Sequence, residues 1–306
     1  MKLAIVGPGA MGCLFAALLA ESGADVALID YRPERASLID ARGVIVEEAG
    51  AERSVSVRAS ADPAAAGTAD GVIFMVKAHA TEGAALRLAG SIAPGAWVMS
   101  LQNGMGNVEA LAAAFGADRT LAGVTSQGAT LKDAGSIRRA GLGETFIGEL
   151  DGAMTERIET LAAVFAAAGI PAEASRDVNA LLWRKLLVNA GINPLTALLR
   201  ISNGEILERP EARETLEAAV AEAAAVARAA GVDIGVPDAV ALVEEVARRT
   251  AGNISSMHQD VLDGRRTEID FICGAVVREG ERLGVPTPVN RILRFLIQAM
   301  TEPAQR

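Results

Sequence analysis

Short apolar runs recur through the first half of the chain, each bounded by turn residues. Lys2 to Val6, Ala24 to Ile29, Gly71 to Val76 (GVIFMV), Ala96 to Leu101 (AWVMSL) and Thr120 to Val124 have the length and composition of buried strands. Between the first two, Cys13 to Glu21 is an apolar helical pattern that stops at Gly23, a residue suited to a C-cap. Gly135 to Gly148 (GSIRRAGLGETFIG) predicts an antiparallel hairpin closing the sheet. Ala153 to Ala168 is amphipathic at helical period, and Pro171 to Ser175 is a last short strand. From Val178 onward strand signals nearly vanish. A helix opens there and should bend or end at Asn193-Pro194, because proline disfavours α-geometry in the residue before it. Pro210 to Ala230, Pro237 to Thr250 and Thr267 to Leu283 follow as helical patterns. The pattern predicts an α/β fold: an N-terminal domain on a parallel sheet, residues 1–176, and an all-helical C-terminal domain, residues 177–306.

Composition narrows the function classes. A chain of 306 residues suits two domains, and 51% hydrophobic residues against 22% charged ones are ample for two cores. A net charge of −9 argues against general nucleic-acid binding, which rests on basic patches, and 3% aromatics leave no stacking platform for bases. The alanine-rich stretch from Leu216 to Gly231 is broken by Glu217, Glu222 and Arg228, so it predicts a water-facing helix and not a membrane span. The N-terminal apolar run is too short for a secretory signal. Cys13 and Cys273 lie far apart without metal-ligand spacing, which suits reduced thiols in a cytoplasmic protein. His79 and His258 are the only histidines, and no His/Asp/Glu cluster suggests a metal. Surface or supporting placement suits both histidines better than catalysis.

Against that background the first strand–loop–helix–strand unit carries chemistry. Gly7, Gly9 and Gly12, with Pro8, Ala10 and Met11 between them, form G-x-G-x-x-G, and Asp30 ends the second strand eighteen positions after Gly12. Gly7 permits the tight turn, Gly9 lets a pyrophosphate approach the backbone, and Gly12 lets the helix sit close on the strand. The helix N-terminus supplies free N–H groups and partial positive charge. In this context the motif predicts a Rossmann-type dinucleotide-binding domain, with Asp30 on ribose hydroxyls. Ligands of such sheets lie beyond the carboxyl ends of the strands. Lys77 and Asn103 stand there, Lys77 suited to a phosphate or a substrate carboxylate, although an ordinary loop lysine and a plain turn are the alternatives.

The helical half has its own polar stripe. Lys185, Asn189 and Asn193 recur at steps of four, which stacks them on nearly one face of a helix otherwise lined by Leu181, Leu182, Trp183, Leu186, Leu187, Val188 and Ile192. Burying an unpaired amide or charge costs several kcal/mol, so this stripe needs partners from the protein or from a ligand. Further along, Ser202-Asn203-Gly204-Glu205 is a turn, Gly252 to Asp260 (GNISSMHQD) a polar bend, and Glu268 falls in the first turn of the next helical pattern.

The order GPGAMG, the Lys77-Ala78 pair, LQNGMGN, WRKLLVNAGINPLTAL, SNGEI, NISSMHQDV and R-x-x-E-I-D resembles the ketopantoate reductase (2-dehydropantoate 2-reductase) family along essentially the whole chain. The resemblance implies NADP(H)-dependent reduction of ketopantoate to pantoate in pantothenate biosynthesis. It implies Lys185 as general acid and Glu268 as the active-site glutamate beside lysine or cofactor. Asn103, Asn189, Asn193, Asn203 and Ser256 become substrate contacts, with Asn253 a further candidate. Lys77, Asn103 and Ala129 become cofactor-lining positions. The residue types suit the reaction: hydride addition to a 2-keto carbon leaves negative charge on oxygen, and an ammonium supplies both a donor and a proton if burial lowers its pKa. One departure bears on the cofactor. Family members that use NADPH usually carry arginine at the end of the second strand, whereas here the run is Asp30-Tyr31-Arg32. A carboxylate there repels a 2′-phosphate, so NAD(H) stays open, with Arg32 as a phosphate contact if Asp30 turns away. The resemblance implies a small 2-keto acid as substrate and leaves a homodimer open. Two other readings remain: a related reductase or dehydrogenase of another 2-keto or 3-hydroxy acid, and a non-catalytic dinucleotide-binding protein.

Overall fold

The computed structural model of the chain describes residues 1–301 and divides into two compact units. Residues 1–102 with 107–178 form the first; residues 103–106 group with the helical unit that starts at Asn179. No described helix is long and apolar enough to cross a membrane.

The first unit runs β1 (Lys2–Val6), α1 (Ala10–Glu21), β2 (Asp25–Ile29), α2 (Pro33–Arg42), β3 (Val44–Glu48), β4 (Ala51–Val55), β5 (Arg58–Ser60), β6 (Gly71–Phe74), α3 (Thr81–Leu88), β7 (Trp97–Ser100), α4 (Asn107–Phe115), β8 (Thr120–Thr125), β9 (Gly128–Asp133), β10 (Ser136–Gly141), β11 (Thr145–Glu149), α5 (Glu156–Ala167) and β12 (Ala172–Ala174). Eight strands make one sheet in the order β12-β11-β8-β7-β6-β1-β2-β5, parallel throughout except where β11 runs against β8. The apolar runs read as strands from the sequence are its central members, buried on both faces as parallel sheets require. One face packs on α3 and α4 through Val6, Phe74, Val98, Leu88 and Phe115. The other packs on α1 and α5, where Phe15 meets Phe165 edge-on with ring centroids 5.5 Å apart.

The predicted hairpin from Gly135 to Gly148 is not one hairpin. β10 pairs with β9 around a turn at Ala134-Gly135, in a separate four-stranded sheet of order β4-β3-β10-β9, while β11 joins the main sheet. Gly135 adopts a positive φ of 69°, the conformation this turn demands. The second sheet covers the far side of α1. Cys13, Leu14, Phe15, Ala16, Ala17 and Leu19 are therefore all buried, with Val44, Val46 and Ile137 packed over them. A helix that is apolar all round needs a layer on each side, and α1 has both.

The second unit contains α6 (Val178–Leu199), α7 (Glu205–Glu208), α8 (Pro210–Ala229), α9 (Ala239–Arg249), α10 (Ser256–Leu262), α11 (Cys273–Leu283) and α12 (Pro288–Thr301). Helix α6, which opens at the unit boundary, is the central element. Its Leu186, Leu187, Ala190 and Ile192 pack against Leu216, Val220 and Ala223 of α8, Val243 of α9 and Val276 of α11. Gly191 lets α8 approach closely, since a Cβ there would lie 2.7 Å from Val220.

Two expectations for this half change. Helix α6 runs on through Pro194 to Leu199 instead of ending at 193–194. The proline leaves the Ala190 carbonyl without its usual donor four residues on, and the buried Cys273 thiol approaches that oxygen at 4.0 Å. The helix predicted from Thr267 also starts later: Glu268 precedes a single 3-10 turn at 269–271, and α11 begins at Cys273.

The glycine loop is tied to the packing of α1 on β1. A Cβ at residue 12 would stand 2.0 Å from the Gly7 carbonyl oxygen. Gly12→Ala is therefore expected to push α1 off the sheet and cost about 2–3 kcal/mol of stability, as overpacked cores do. Urea denaturation checks this by a lowered midpoint at unchanged slope.

Candidate active site

In the first unit β1 delivers the chain to Gly7, whose φ of 103° turns it and whose N–H bonds the Ile29 carbonyl at 2.9 Å. A side chain at residue 7 would strike the Val76 backbone nitrogen at 2.8 Å. Gly9 is different. It caps α1, and a Cβ built there meets nothing within 4 Å. The open space at Gly9, together with the unsatisfied N–H groups of the α1 N-terminus, fits a pyrophosphate.

At the end of β2 the structure alters the meaning of Asp30. Its carboxylate is buried and accepts bonds from the Tyr31 N–H at 2.7 Å, from Arg35 Nη2 at 2.7 Å and from Arg35 Nε. That bidentate pair neutralises Asp30, and the hydrogen bond to Asp30 holds the Arg35 guanidinium above its ordinary pKa. Beside it the exposed Tyr31 ring gathers three guanidiniums: Arg32 at 5.1 Å, Arg87 at 5.6 Å and Arg35 at 5.9 Å from the ring centre. Arg32 Nε also donates to Tyr31 Oη at 2.8 Å.

Lys77 follows β6 half-buried and caps the 3-10 turn at 78–80, while His79 is exposed. Ala129 lies in β9, opposite Arg139, in the second sheet. A buried network at the ends of β6 and β7 was not legible as a functional cluster. Gln102 Nε2 donates to the Val76 carbonyl and to Thr81 Oγ1, both at 2.7 Å, and Thr81 Oγ1 donates to Asn107 Oδ1 at 2.8 Å. It fixes the chain on both sides of the 103–106 loop.

In the second unit that loop is seated on the turn after Glu268. The Met105 N–H bonds the Phe271 carbonyl at 2.9 Å, and at Gly104, where φ is 80°, a Cβ would lie 2.3 Å from the same oxygen. Asn103 Nδ2 thereby comes to 3.5 Å from Glu268 Oε2, a long contact between two residues read as active-site candidates. Glu268 is buried and acts electrostatically on Lys185. Burial lowers the Lys185 pKa to about 8, and the Glu268 carboxylate opposes that by raising it. One turn along α6, Asn189 Nδ2 is buried with no hydrogen-bond partner among the described residues. Asn193 is buried a further turn on.

Asn203 and Asn253 belong to one corner, joined by the Asn203 N–H to the Asn253 carbonyl at 3.0 Å. Asn203 is buried and donates to Thr250 Oγ1 at 2.8 Å, whereas its Oδ1 has no partner among the described residues. Asn253 and Ser256 are exposed. The corner is linked to α6 through Thr196 Oγ1, 2.7 Å from Ser255 Oγ, and that oxygen caps α10 by accepting the His258 N–H at 3.1 Å. Ser255 and Thr196 were missed in the sequence, although a serine three residues before His258 is an N-cap signal. Asp260, buried and paired with Arg265 at 3.1 Å, was missed as well. No group of three His, Cys, Asp or Glu stands close enough to hold a metal ion among the described residues.

Fold and site define a class of protein: a dinucleotide-fold unit joined to an all-helical unit that carries a lysine of lowered pKa. The sequence profile of ketopantoate reductase PanE/ApbA matches residues 3–152, and that of its C-terminal domain matches residues 177–301. The chain belongs to the ketopantoate reductase family. It is 38% identical to the 2-dehydropantoate 2-reductase of Archaeoglobus fulgidus over 98% of this chain and 97% of that one. Among solved structures, a PanE/ApbA family ketopantoate reductase from Ralstonia eutropha superposes with a TM-score of 0.90 at 37% identity, covering 98% of both chains. A D-mandelate dehydrogenase bound to NADH and anilino(oxo)acetate superposes with a TM-score of 0.92 at 28% identity, again over 98% of both. The family depends on NAD(P)H.

The two inner glycines separate packing from binding. Gly9→Ala meets no atom of the protein, so the melting temperature should stay within about a degree of wild type, in contrast to Gly12→Ala. Dinucleotide affinity, read by fluorescence titration, should fall by at least tenfold, because the added methyl stands where the pyrophosphate must approach.

Proposed function

We propose that the chain reduces 2-dehydropantoate to pantoate with a nicotinamide dinucleotide, as an enzyme of pantothenate biosynthesis. The observation that carries the reading is the α6 stripe: a lysine whose pKa burial lowers to about 8, with Glu268 raising it, one turn from an amide donor with no partner among the described residues. Such a pair suits an oxygen that gains negative charge and then a proton.

The first unit binds the dinucleotide through the glycine loop and the α1 N-terminus. When bound, the reduced nicotinamide supplies hydride to the keto carbon. Lys185 Nζ hydrogen-bonds the ketone oxygen, stabilises the charge that develops there and donates the proton that completes the alcohol. The resulting neutral amine regains its proton from water. Glu268 keeps the ammonium populated at neutral pH and, with Asn103, fixes its position. Asn189 Nδ2 and Asn193 are neutral donors for the substrate carboxylate, adding no charge beside the lysine. Asn203 Oδ1, without a partner among the described residues, is an acceptor for a substrate hydroxyl, which favours a hydroxylated keto acid over a plain one.

NADPH is the better fit to the first unit. The charge of Asp30 is spent on Arg35, so it no longer opposes a 2′-phosphate, and Arg32 and Arg87 flank the exposed Tyr31 ring at the same strand end. A second reading is favoured by the likeness to D-mandelate dehydrogenase: a 2-keto acid with a different side chain, taken by the same lysine site.

Absorbance at 340 nm tests the proposal directly. With ketopantoate the wild type should turn over, Lys185→Met should lose at least a thousandfold in kcat while remaining folded, and an unhydroxylated 2-keto acid should react more slowly. Faster reaction with the unhydroxylated acid would favour the second reading. The reductive kcat/KM should fall roughly tenfold per pH unit above about 8, because the protonated lysine is the active form. Oxidation of pantoate should rise over the same range. Glu268→Gln removes the charge that raises the lysine pKa, so the alkaline limb should move to lower pH. For the cofactor, Arg32→Ala combined with Arg87→Ala should lower kcat/KM for NADPH by about 10–100-fold, the worth of a charged hydrogen bond of roughly 1.5–3 kcal/mol. NADH should be nearly unaffected; an equal loss for both cofactors would remove the arginines from phosphate recognition.

A further inference from the structure

Four polar side chains are buried together at the carboxyl ends of β6 and β7: Gln102, Ser100, Thr81 and Asn107, none more than 7% exposed. Gln102 uses its whole amide. Nε2 donates to the Val76 carbonyl and to Thr81 Oγ1, both at 2.7 Å, and Oε1 accepts the Ser100 hydroxyl at 3.1 Å. Ser100 Oγ in turn accepts the Gln102 N–H at 3.3 Å, and Thr81 Oγ1 donates onward to Asn107 Oδ1 at 2.8 Å. Only the NH2 end of an amide can face a carbonyl, so the Val76 contact fixes the direction of every bond in the chain.

We propose that Gln102 is a positioning residue for hydride transfer, which sets Lys77 and Asn103 in register with the glycine loop; this rests on the reductase reading above. The network joins four segments. Val76 follows β6, Ser100 ends β7, Thr81 opens α3 and Asn107 opens α4. Gly7 packs directly on Val76, where a Cβ would lie 2.8 Å from the Val76 backbone nitrogen. One residue thus meets the glycine turn through its nitrogen and Gln102 through its carbonyl. Lys77 is the next residue after Val76, and Asn103 is the next after Gln102.

Stability alone does not call for such a network. Parallel sheets close well with apolar side chains, and a buried amide or hydroxyl is costly unless every bond is made. What a fully bonded network adds is a single arrangement, since any shift leaves a donor or acceptor unpaired. This one stands at the carboxyl ends of the strands, where the ligands of open α/β sheets lie. Loosening it lets the residues at 77 and 103 drift against the glycine loop, while the pyrophosphate seat at Gly9 and the α1 N-terminus stays in place. Hydride transfer suffers more than dinucleotide binding.

Single-turnover reduction of the 2-keto acid that the wild type accepts, measured where each variant is fully folded by circular dichroism, tests the proposal. Thr81→Val removes the hydroxyl at nearly unchanged volume and leaves Gln102 a donor and Asn107 an acceptor short. Its hydride-transfer rate should fall about 10–100-fold, the cost of a displacement of about 1 Å. Gln102→Met should lose at least as much, and Thr81→Ser, which restores the hydroxyl, should recover the rate to within about threefold of wild type. Dinucleotide Kd, read by fluorescence titration, should move less than about threefold throughout. In the unliganded chain, amide hydrogen exchange should quicken over residues 76–81 and 101–107 in Thr81→Val and Gln102→Met and stay unchanged elsewhere. If Gln102→Met fails to fold, the Thr81 pair decides. Three results would overturn the proposal: a wild-type rate in Thr81→Val, a Thr81→Ser as slow as Thr81→Val, or a loss of rate matched by an equal loss of dinucleotide affinity. A wild type inactive toward every 2-keto acid would defeat the reductase reading itself, and this proposal with it.

Discussion

The site depends on one balance at Lys185, between the cost of taking an ammonium out of water and the attraction of the Glu268 carboxylate. Desolvation is the larger effect, so the pKa settles near 8 and not near the ordinary lysine value of 10.5. Without the carboxylate the pKa would fall further, and less of the amine would hold its proton at a given pH. Without burial it would keep a pKa near the ordinary lysine value. Several elements of the helical unit surround this pair. Helix α6 is the core element, the 268–271 turn carries Glu268, and the loop at 103–106 is pinned to that turn through Phe271.

The same economy of charge operates at the end of β2. Asp30 would set a dinucleotide fold toward NADH if it faced the ribose alone, yet Arg35 engages both of its oxygens. A residue five positions away thus pairs the carboxylate that the motif alone leaves uncompensated. The exposed Tyr31 ring then gathers Arg32, Arg35 and Arg87 at 5.1 to 5.9 Å from its centre, in a chain whose net charge is −9.

How much of this could be read in the sequence follows from the range of each interaction. The central strands, the glycine loop and the α6 stripe are local patterns, and they were legible as such. Lys185, Asn189 and Asn193 share a face because a helix repeats, whatever surrounds it. The second sheet was not legible, because β3, β4, β9 and β10 are short, partly exposed strands joined across ninety residues. Its only local trace was α1 itself, apolar on every side and so in need of a second cover. Pro194 misled for a related reason: a proline only biases the residue before it away from α-geometry, and packing in the helical core holds α6 helical through it. Arg35 and Glu268 show the same limit. Their identities are visible in the sequence, but their partners are set by tertiary packing.

The most direct test of the central balance is the titration of Lys185 itself in the folded chain. Selective isotope labelling of lysine and NMR detection of its ε-carbon against pH, with Lys185→Met to assign the resonance, gives that value free of kinetics. A midpoint near 8 is what burial opposed by Glu268 requires. A midpoint near 10.5 would mean a solvated amine and would contradict the account.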